Sequence, residues 1–181
     1  MTREHDLSEQ IILADGTLIS VRPIRPADAP ALQRFHRRPS PNSIYLRHFS
    51  PVPELSDARA RYFTHLETPD RFALVALDPE QPAEIIAVLR FDHEAGTDRA
   101  EYAAAVEDRW QGRGIGRALT RRLIAAARER GIRQLYALVL PENRRMIHLL
   151  RDLGLPSRTV WSDGALRVNV DLEPGEAEPP V

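Results

Sequence analysis

The residues best placed to do chemistry run from Glu101 to Arg117, in the order Glu-Tyr-Ala-Ala-Ala-Val-Glu-Asp-Arg-Trp-Gln111-Gly112-Arg113-Gly114-Ile115-Gly116-Arg117. The stretch reads as a strand, then a glycine-rich turn, then the start of a long helix. Glycine lets a backbone approach a ligand closely. A helix start presents unpaired N–H groups and the positive end of the macrodipole. Together they make an anion site. Arg113 and Arg117 fall in its first turn, where a guanidinium can grip phosphate oxygens in pairs. Between Arg109 and Arg133 lie eight arginines (109, 113, 117, 121, 122, 128, 130, 133) against one acid, Glu129. Arg121, Arg128 and Arg130 read as a solvated helix face.

Composition narrows the anion. All 25 Lys+Arg residues are arginine, and cysteine is absent. A P-loop needs a lysine on the phosphates, and Schiff-base chemistry needs a lysine amine. Thiol nucleophiles, thiolate metal cages and disulfides are excluded as well. The dinucleotide pattern G-x-G-x-x-G also fails, because its third position would be Arg117 or Leu119. Histidines 5, 36, 48, 65, 93 and 148 form no H-x-x-x-H pair, and after His93-Glu94 the second position is Thr97. No metal site is expected. No G-x-S-x-G elbow exists, and Trp110 and Trp161 read as core or interface residues. The net charge of −1 and pI near 6.6 give no pull toward nucleic acid or membrane. No apolar run reaches the length of a span, and the polar start MTREHDLSEQ argues against a signal peptide. A cytoplasmic enzyme or binding domain is expected.

The elements that position these residues follow from periodicity. Gln10–Leu13 and Thr17–Arg22 form a hairpin about Asp15-Gly16. Pro26 opens a helix carrying Leu32 and Phe35. Four prolines break residues 36–56, where a short helix over Asn42–Phe49 is expected, either walling a substrate or as a solvated connection. A further helix starts at Ser56, with Ala58, Tyr62, Phe63 and Leu66 inward. Phe72–Leu77, Glu84–Phe91 and Ala100–Val106 make an antiparallel meander. The clearest helix is Gly112–Gly131, with Ile115, Ala118, Leu119, Leu123, Ala126 and Ala127 in one stripe. A buried strand Gln134–Leu140, a helix Glu142–Leu153 and a hairpin about Asp163-Gly164 complete an α+β fold with a mixed, mostly antiparallel sheet. Residues 1–9 read as a flexible start, 10–172 as one domain, and 173–181 as a disordered acidic tail.

Gln111, Gly114 and Gly116 satisfy the pattern Q/R-x-x-G-x-G/A. In this setting of strand, helix, strand and Asn143-headed helix, the chain resembles the GNAT N-acetyltransferases over roughly residues 10–170. The opening Val21-Arg22-Pro23-Ile24-Arg25-Pro26-Ala27-Asp28 also looks like the first strand and helix entry of that superfamily. Ser40–Arg47 and Leu140–Met146 look closest to bacterial protein-lysine acetyltransferases. Those proteins often carry a regulatory or synthetase-like domain, for which this length leaves no room.

The resemblance implies acetyl-coenzyme A as cosubstrate, with its pyrophosphate on Gln111, Gly112, Arg113, Gly114, Ile115, Gly116 and Arg117. It implies that the main chain of Ala104, Ala105 and Val106 holds the pantetheine arm, with a backbone N–H near Val106 polarising the thioester carbonyl. Asn143 would contact the arm, cap its helix, or do both. An acceptor amine of pKa about 10.4 needs ~4.6 kcal/mol to become neutral at pH 7, so a base is required. Glu101 matches the family's catalytic glutamate. It shares its strand face with Ala103, Ala105 and Glu107, small neighbours that would limit its hydration and raise its pKa. The plainer reading is a surface glutamate paired with Arg99 or Arg90. Many family members place a tyrosine acid seven residues after the asparagine, where this chain has Leu150. Protein-lysine acetyltransferases of this kind commonly lack it too. Either the thiolate leaves unaided, with a pKa near 8.5, or another group serves. The acceptor is a protein lysine or a small amine; a silent acyl-coenzyme A sensor is the other class.

Overall fold

A computed structural model describes residues 8–38, 54–66 and 68–173. The helix expected over Asn42–Phe49, the Ser40–Arg47 segment, the first seven residues and positions 174–181 lie outside the described residues.

Eight strands form one sheet: β1 (Glu9–Ile12), β2 (Leu18–Pro23), β3 (Arg71–Leu77), β4 (Ile85–His93), β5 (Arg99–Val106), β6 (Gln134–Val139), β7 (Ser157–Ser162) and β8 (Ala165–Asp171). Their spatial order is β1-β2-β3-β4-β5-β6-β8-β7. Every pairing is antiparallel except β5 with β6. The described helices are α1 (Ala29–Arg37), α2 (Asp57–Thr64), α3 (Ile115–Glu129) and α4 (Arg144–Arg151). The α+β, mostly antiparallel reading is therefore met, and the one parallel pair arises because α3 returns the chain across the sheet.

Each sheet face has its own core, as the period of two requires. Leu74, Leu89, Phe91 and Tyr102 face α3 and α4, meeting Leu119, Leu123, Ile147 and Leu150. On the other face Ala73, Val75 and Val88 meet Leu32 and Phe35 of α1 and Ala60 of α2. The α3 stripe read from the sequence is the buried one. Leu119 and Leu123 are fully enclosed, and burial of such a side chain contributes about 2–3 kcal/mol.

Three element readings need correction. The helix expected from Gly112 begins at Ile115, because Gly112 (φ 72°) and Gly114 (φ 92°) are left-handed and hold the turn open. In α2, Ala60 and Thr64 point inward, while Ala58 and Tyr62 are exposed. Tyr62 instead carries the guanidinium of Arg71, 3.8 Å from its ring. Strand β6 is not buried throughout: Leu135, Ala137 and Val139 are enclosed, but Leu138 is 42% exposed because no described helix covers that face there.

Candidate active site

Strands β5 and β6 pair only at Arg99↔Gln134, Ala100↔Leu135 and Glu101↔Tyr136. Beyond that point β5 continues alongside β4 as far as Val106↔Ala87, while β6 follows β8 to Val139↔Leu166. The sheet therefore forks just past Glu101. Glu107 N–H donates to Ile86 O at 2.8 Å. By strand alternation, residues 103 and 105 bond toward β4, and Ala104 and Val106 turn their N–H and C=O into the fork. The Val106 carbonyl accepts from Gln111 Nε2 at 2.9 Å, which leaves its N–H facing the opening. Such a gap suits an extended, amide-containing ligand that can take up unpaired backbone groups.

The glycine turn stands at the mouth of the fork. The first N–H donation inside α3 is Ala118 N–H to Gly114 O at 3.1 Å, so the amides of Ile115, Gly116 and Arg117 are the unpaired donors of the helix start. At Gly116 an added Cβ would meet Leu149 Cδ2 at 3.7 Å and Val106 Cγ2 at 3.9 Å. This position packs helix against strand and has room for alanine.

Side chains fix the turn from several directions. Gln111 is held at both ends, since Arg145 Nη1 donates to its Oε1 at 2.5 Å. Arg113 lies 4.2 Å over the Trp110 ring and donates to Asp15 Oδ2 at 2.5 Å and Thr17 Oγ1 at 3.3 Å. Hydrogen bonds from Thr17 and the Arg113 guanidinium hold the Asp15 carboxyl well below the usual carboxylate range. Arg113 is thus latched to the first hairpin and must exchange that partner to take a phosphate. Arg117 is exposed and donates to Asp152 O at 3.2 Å. Asn143 caps α4, its Oδ1 accepting from Met146 N–H at 3.3 Å, and its amide N–H₂ keeps no described partner. The backbone amides, the open edge of β5 and the arginine rim together fit a long, anionic, amide-bearing group.

Glu101 lies on the α1/α2 face, as strand alternation requires. It is exposed and makes no hydrogen bond or ion pair with a described residue. The expected shielding from water is not provided by the described residues, because α1 and α2 pack over β2 to β4 and stop short of it. The alternative pairing is absent too: Arg99 meets Glu94 at 3.6 Å and Arg90 meets Asp92 at 3.9 Å. On the same sheet face, Ile24, Phe35, Phe63, Val88 and Arg90 line a cavity of about 80 Å³. Burial pushes the Arg90 guanidinium below its ordinary value, opposed by Asp92 and Glu101. Its plane stacks on Phe63 at 4.1 Å. Glu107, read on the same face, is enclosed and bridges Arg38 (3.2 Å) and Arg109 (2.6 Å), a structural tie.

Leu150 is 1% exposed and belongs to the core, and His148 is exposed. Neither can serve as an acid at the fork. Sequence reasoning did not single out Arg145 or Tyr136, and it named Arg90 only as a possible partner of Glu101. Tyr136 carried a usable signal, since Gln134, Tyr136 and Leu138 alternate with the apolar Leu135, Ala137 and Val139. Among the described residues no group of three His, Asp or Glu side chains could hold a metal ion, and no helix is long and apolar enough to cross a membrane.

Comparison with known proteins gives a consistent answer. The family model for the acetyltransferase (GNAT) family matches residues 32–155. An acetyltransferase of Pseudomonas aeruginosa is 30% identical over 143 residues, covering 78% of this chain and 77% of that protein. Acetyltransferase Pat of Mycolicibacterium smegmatis is 31% identical over 172 residues, covering 91% of this chain; the chain spans about half of that relative, 49%. The solved GNAT domain of S. lividans PAT superposes with a TM-score of 0.82 at 38% identity, covering 91% of this chain and 96% of that one. The forked sheet, the glycine turn at its mouth and these matches agree, and the chain belongs to the GNAT family of acetyl-coenzyme A-dependent N-acetyltransferases.

Proposed function

We propose that the protein transfers the acetyl group of acetyl-coenzyme A to a protein lysine, by direct attack of the amine while both substrates are bound. The carrying observation is the fork beyond Glu101↔Tyr136, which sets an open strand edge and a helix start on one side of a carboxylate. Ala104, Ala105 and Val106 hold the arm. Gln111, Gly112, Arg113, Gly114, Ile115, Gly116 and Arg117 form the phosphate cradle, and Asn143 closes it from α4. A backbone N–H on the open edge of β5 polarises the thioester carbonyl, where negative charge develops as the amine adds. Glu101 takes the amine proton, directly or through water.

A protein acceptor is supported by the 38% identity to the S. lividans PAT domain. The exposure of Glu101 points the same way. A lysine on a folded partner must reach the base from outside, and an exposed carboxylate permits that approach. The domain would span residues 10–172, with the polar segments on either side as appendages and the cytoplasm as its compartment.

The test is a map of lysines that gain acetyl groups when the protein and acetyl-coenzyme A are added to a deacetylated cell lysate, with Glu101→Gln as control. The expected result is a discrete set of lysines that the control fails to modify by at least a hundredfold, with acetyl-coenzyme A affinity kept within a few-fold. Equal modification by the control removes Glu101 from the mechanism. Transfer to polyamines without any protein target assigns the small-amine reading instead.

A further inference from the structure

Glu101 and Tyr136 are the last pair before β5 and β6 separate. Being register partners, their side chains share a face. They stand inside a polar row that crosses the sheet: Arg71↔Asp92, Asp92↔Glu101, Glu101↔Tyr136, Tyr136↔Asn169 and Asn169↔Arg158. The Arg167 guanidinium lies 3.9 Å over the Tyr136 ring. Arg167 pairs in register with Leu138, one row further into the opening. The hydroxyl of Tyr136 makes no hydrogen bond to a described residue, so it serves no evident structural purpose.

The length of the cosubstrate brings its sulfur to this point. Between the pyrophosphate and the sulfur, the pantetheine arm has about twelve backbone bonds, the length of roughly four extended residues or ~14 Å. With phosphates at the start of α3, level with Val106, an arm lying along the open edge of β5 ends near Tyr102. That is the root of the fork, beside the Glu101–Tyr136 pair.

We propose that Tyr136 is the general acid of the reaction, protonating the sulfur of coenzyme A as it leaves. This inference rests on the acetyltransfer reading above and fills the role that Leu150 cannot. The amine nitrogen bonds to the thioester carbonyl carbon, and the carbon–sulfur bond breaks. The acceptor ammonium has by then released one proton to water through Glu101; the proton still on the bonded nitrogen goes to Glu101, and the Tyr136 O–H proton goes to sulfur. The phenolate then recovers a proton from the Glu101 carboxylic acid on the neighbouring strand, which restores both groups with no outside acid. The groups facing Tyr136 are Glu101 and Arg99 of β5, Glu94 of the preceding turn, and Arg167 and Asn169 of β8. Partial burial and the nearby Glu101 and Glu94 hold the hydroxyl above its ordinary value, against Arg167 and Arg99, so it carries its proton at neutral pH.

Tyr136→Phe removes only the hydroxyl, and no described hydrogen bond is lost with it. Turnover is measured with acetyl-coenzyme A and with its selenoester analogue, whose selenol is a far stronger acid and leaves without protonation. On the thioester the variant is expected to lose ten- to a hundredfold in kcat, with KM for the acyl donor within twofold and an unchanged melting temperature. On the selenoester the deficit should shrink to threefold or less. A loss under twofold on the thioester overturns the proposal. An equal loss on both donors also overturns it, because a merely positioning hydroxyl would not respond to the leaving group. Glu101→Gln should stay impaired on both donors, so failure of the base reading is told apart from failure of the acid.

Discussion

At the residue scale, the two glycines of the turn that look alike in sequence do different work. Gly114 sits at φ 92° with nothing within 4 Å of an added Cβ, so its requirement is purely one of backbone conformation. Gly116 has helical backbone and ordinary van der Waals room. Gly114→Ala is therefore expected to lower unfolding free energy by ~1–2 kcal/mol, the strain of an L-residue in the left-handed region. It should also weaken acetyl-coenzyme A binding by tilting the first turn of α3. Gly116→Ala is expected to be neutral or up to ~1 kcal/mol stabilising, with binding held within a few-fold. Urea denaturation and calorimetric titration of both variants check the pair, and equal losses for the two would contradict this division. The tolerance explains why the pattern allows either glycine or alanine at the last position. Spacing alone pointed to an anion site at the glycine turn. It could not show which of them is conformational and which is a packing contact, because that depends on Leu149 and Val106 arriving from other elements.

At the element scale, the joint between β2 and α1 is held by one ion pair. Arg22 grips Asp28 through two hydrogen bonds of 2.7 and 2.8 Å, and Arg25 N–H adds a third at 2.7 Å. Burial raises the Asp28 pKa, but the Arg22 and Arg25 contacts outweigh it, and the carboxyl lies below its ordinary 3.8. A depressed folded-state pKa means that the stabilisation is fully present above the unfolded value and is lost as pH falls through the folded one. Asp28→Asn should therefore cost ~2 kcal/mol at pH 7, within the range for a charged hydrogen-bonded group whose partners are largely shielded from solvent. The wild-type advantage should narrow below pH 3.8 and vanish once Asp28 is protonated. Urea midpoints of both proteins at pH 7 and below pH 3 test this, and a gap unchanged at acid pH would exclude the ion pair as its source. Joints of this kind were half legible. Val21 to Asp28 was legible as a strand running into a helix entry, whereas the grip of Arg22 on Asp28 required β2 to end beside it. Likewise the α3 stripe was readable because 3.6-residue periodicity is local. The inward face of α2 was misread because Tyr62 is turned outward by Arg71, a partner from the next strand.

At the scale of the whole molecule, the sheet divides the work between its faces. Helices α3 and α4 close one face and bring the glycine turn to the fork. Among the described residues, the helices on the other face lie over β2 to β4, and there Glu101 and Leu138 are exposed and Tyr136 is half-buried. The fork itself was beyond the sequence. Each strand was recognisable alone, but the parallel register that ends at Glu101↔Tyr136 is set by the path of α3 over the sheet. The absence of lysine acquires a meaning in this frame. Guanidinium planes stack on Tyr62, Phe63, Trp110 and Tyr136, which an ammonium would do less well. On the proposed mechanism, an enzyme with an exposed base and no lysine in its sequence also offers itself no side-chain target. Incubated at length with acetyl-coenzyme A, the chain should gain at most one acetyl group by intact mass, on its α-amine. A second group would show that some other side chain is acylated. If freedom from self-modification is what excludes lysine, restoring one at an exposed position should reveal the reaction. Arg61→Lys on α2, solvent-exposed, should then take up one further acetyl group, and the double variant with Glu101→Gln should not. An Arg61→Lys protein that stays unmodified while lysines of an acceptor protein are acetylated in the same tube would assign the lysine-free composition to a general arginine preference of the source, with no bearing on the active site.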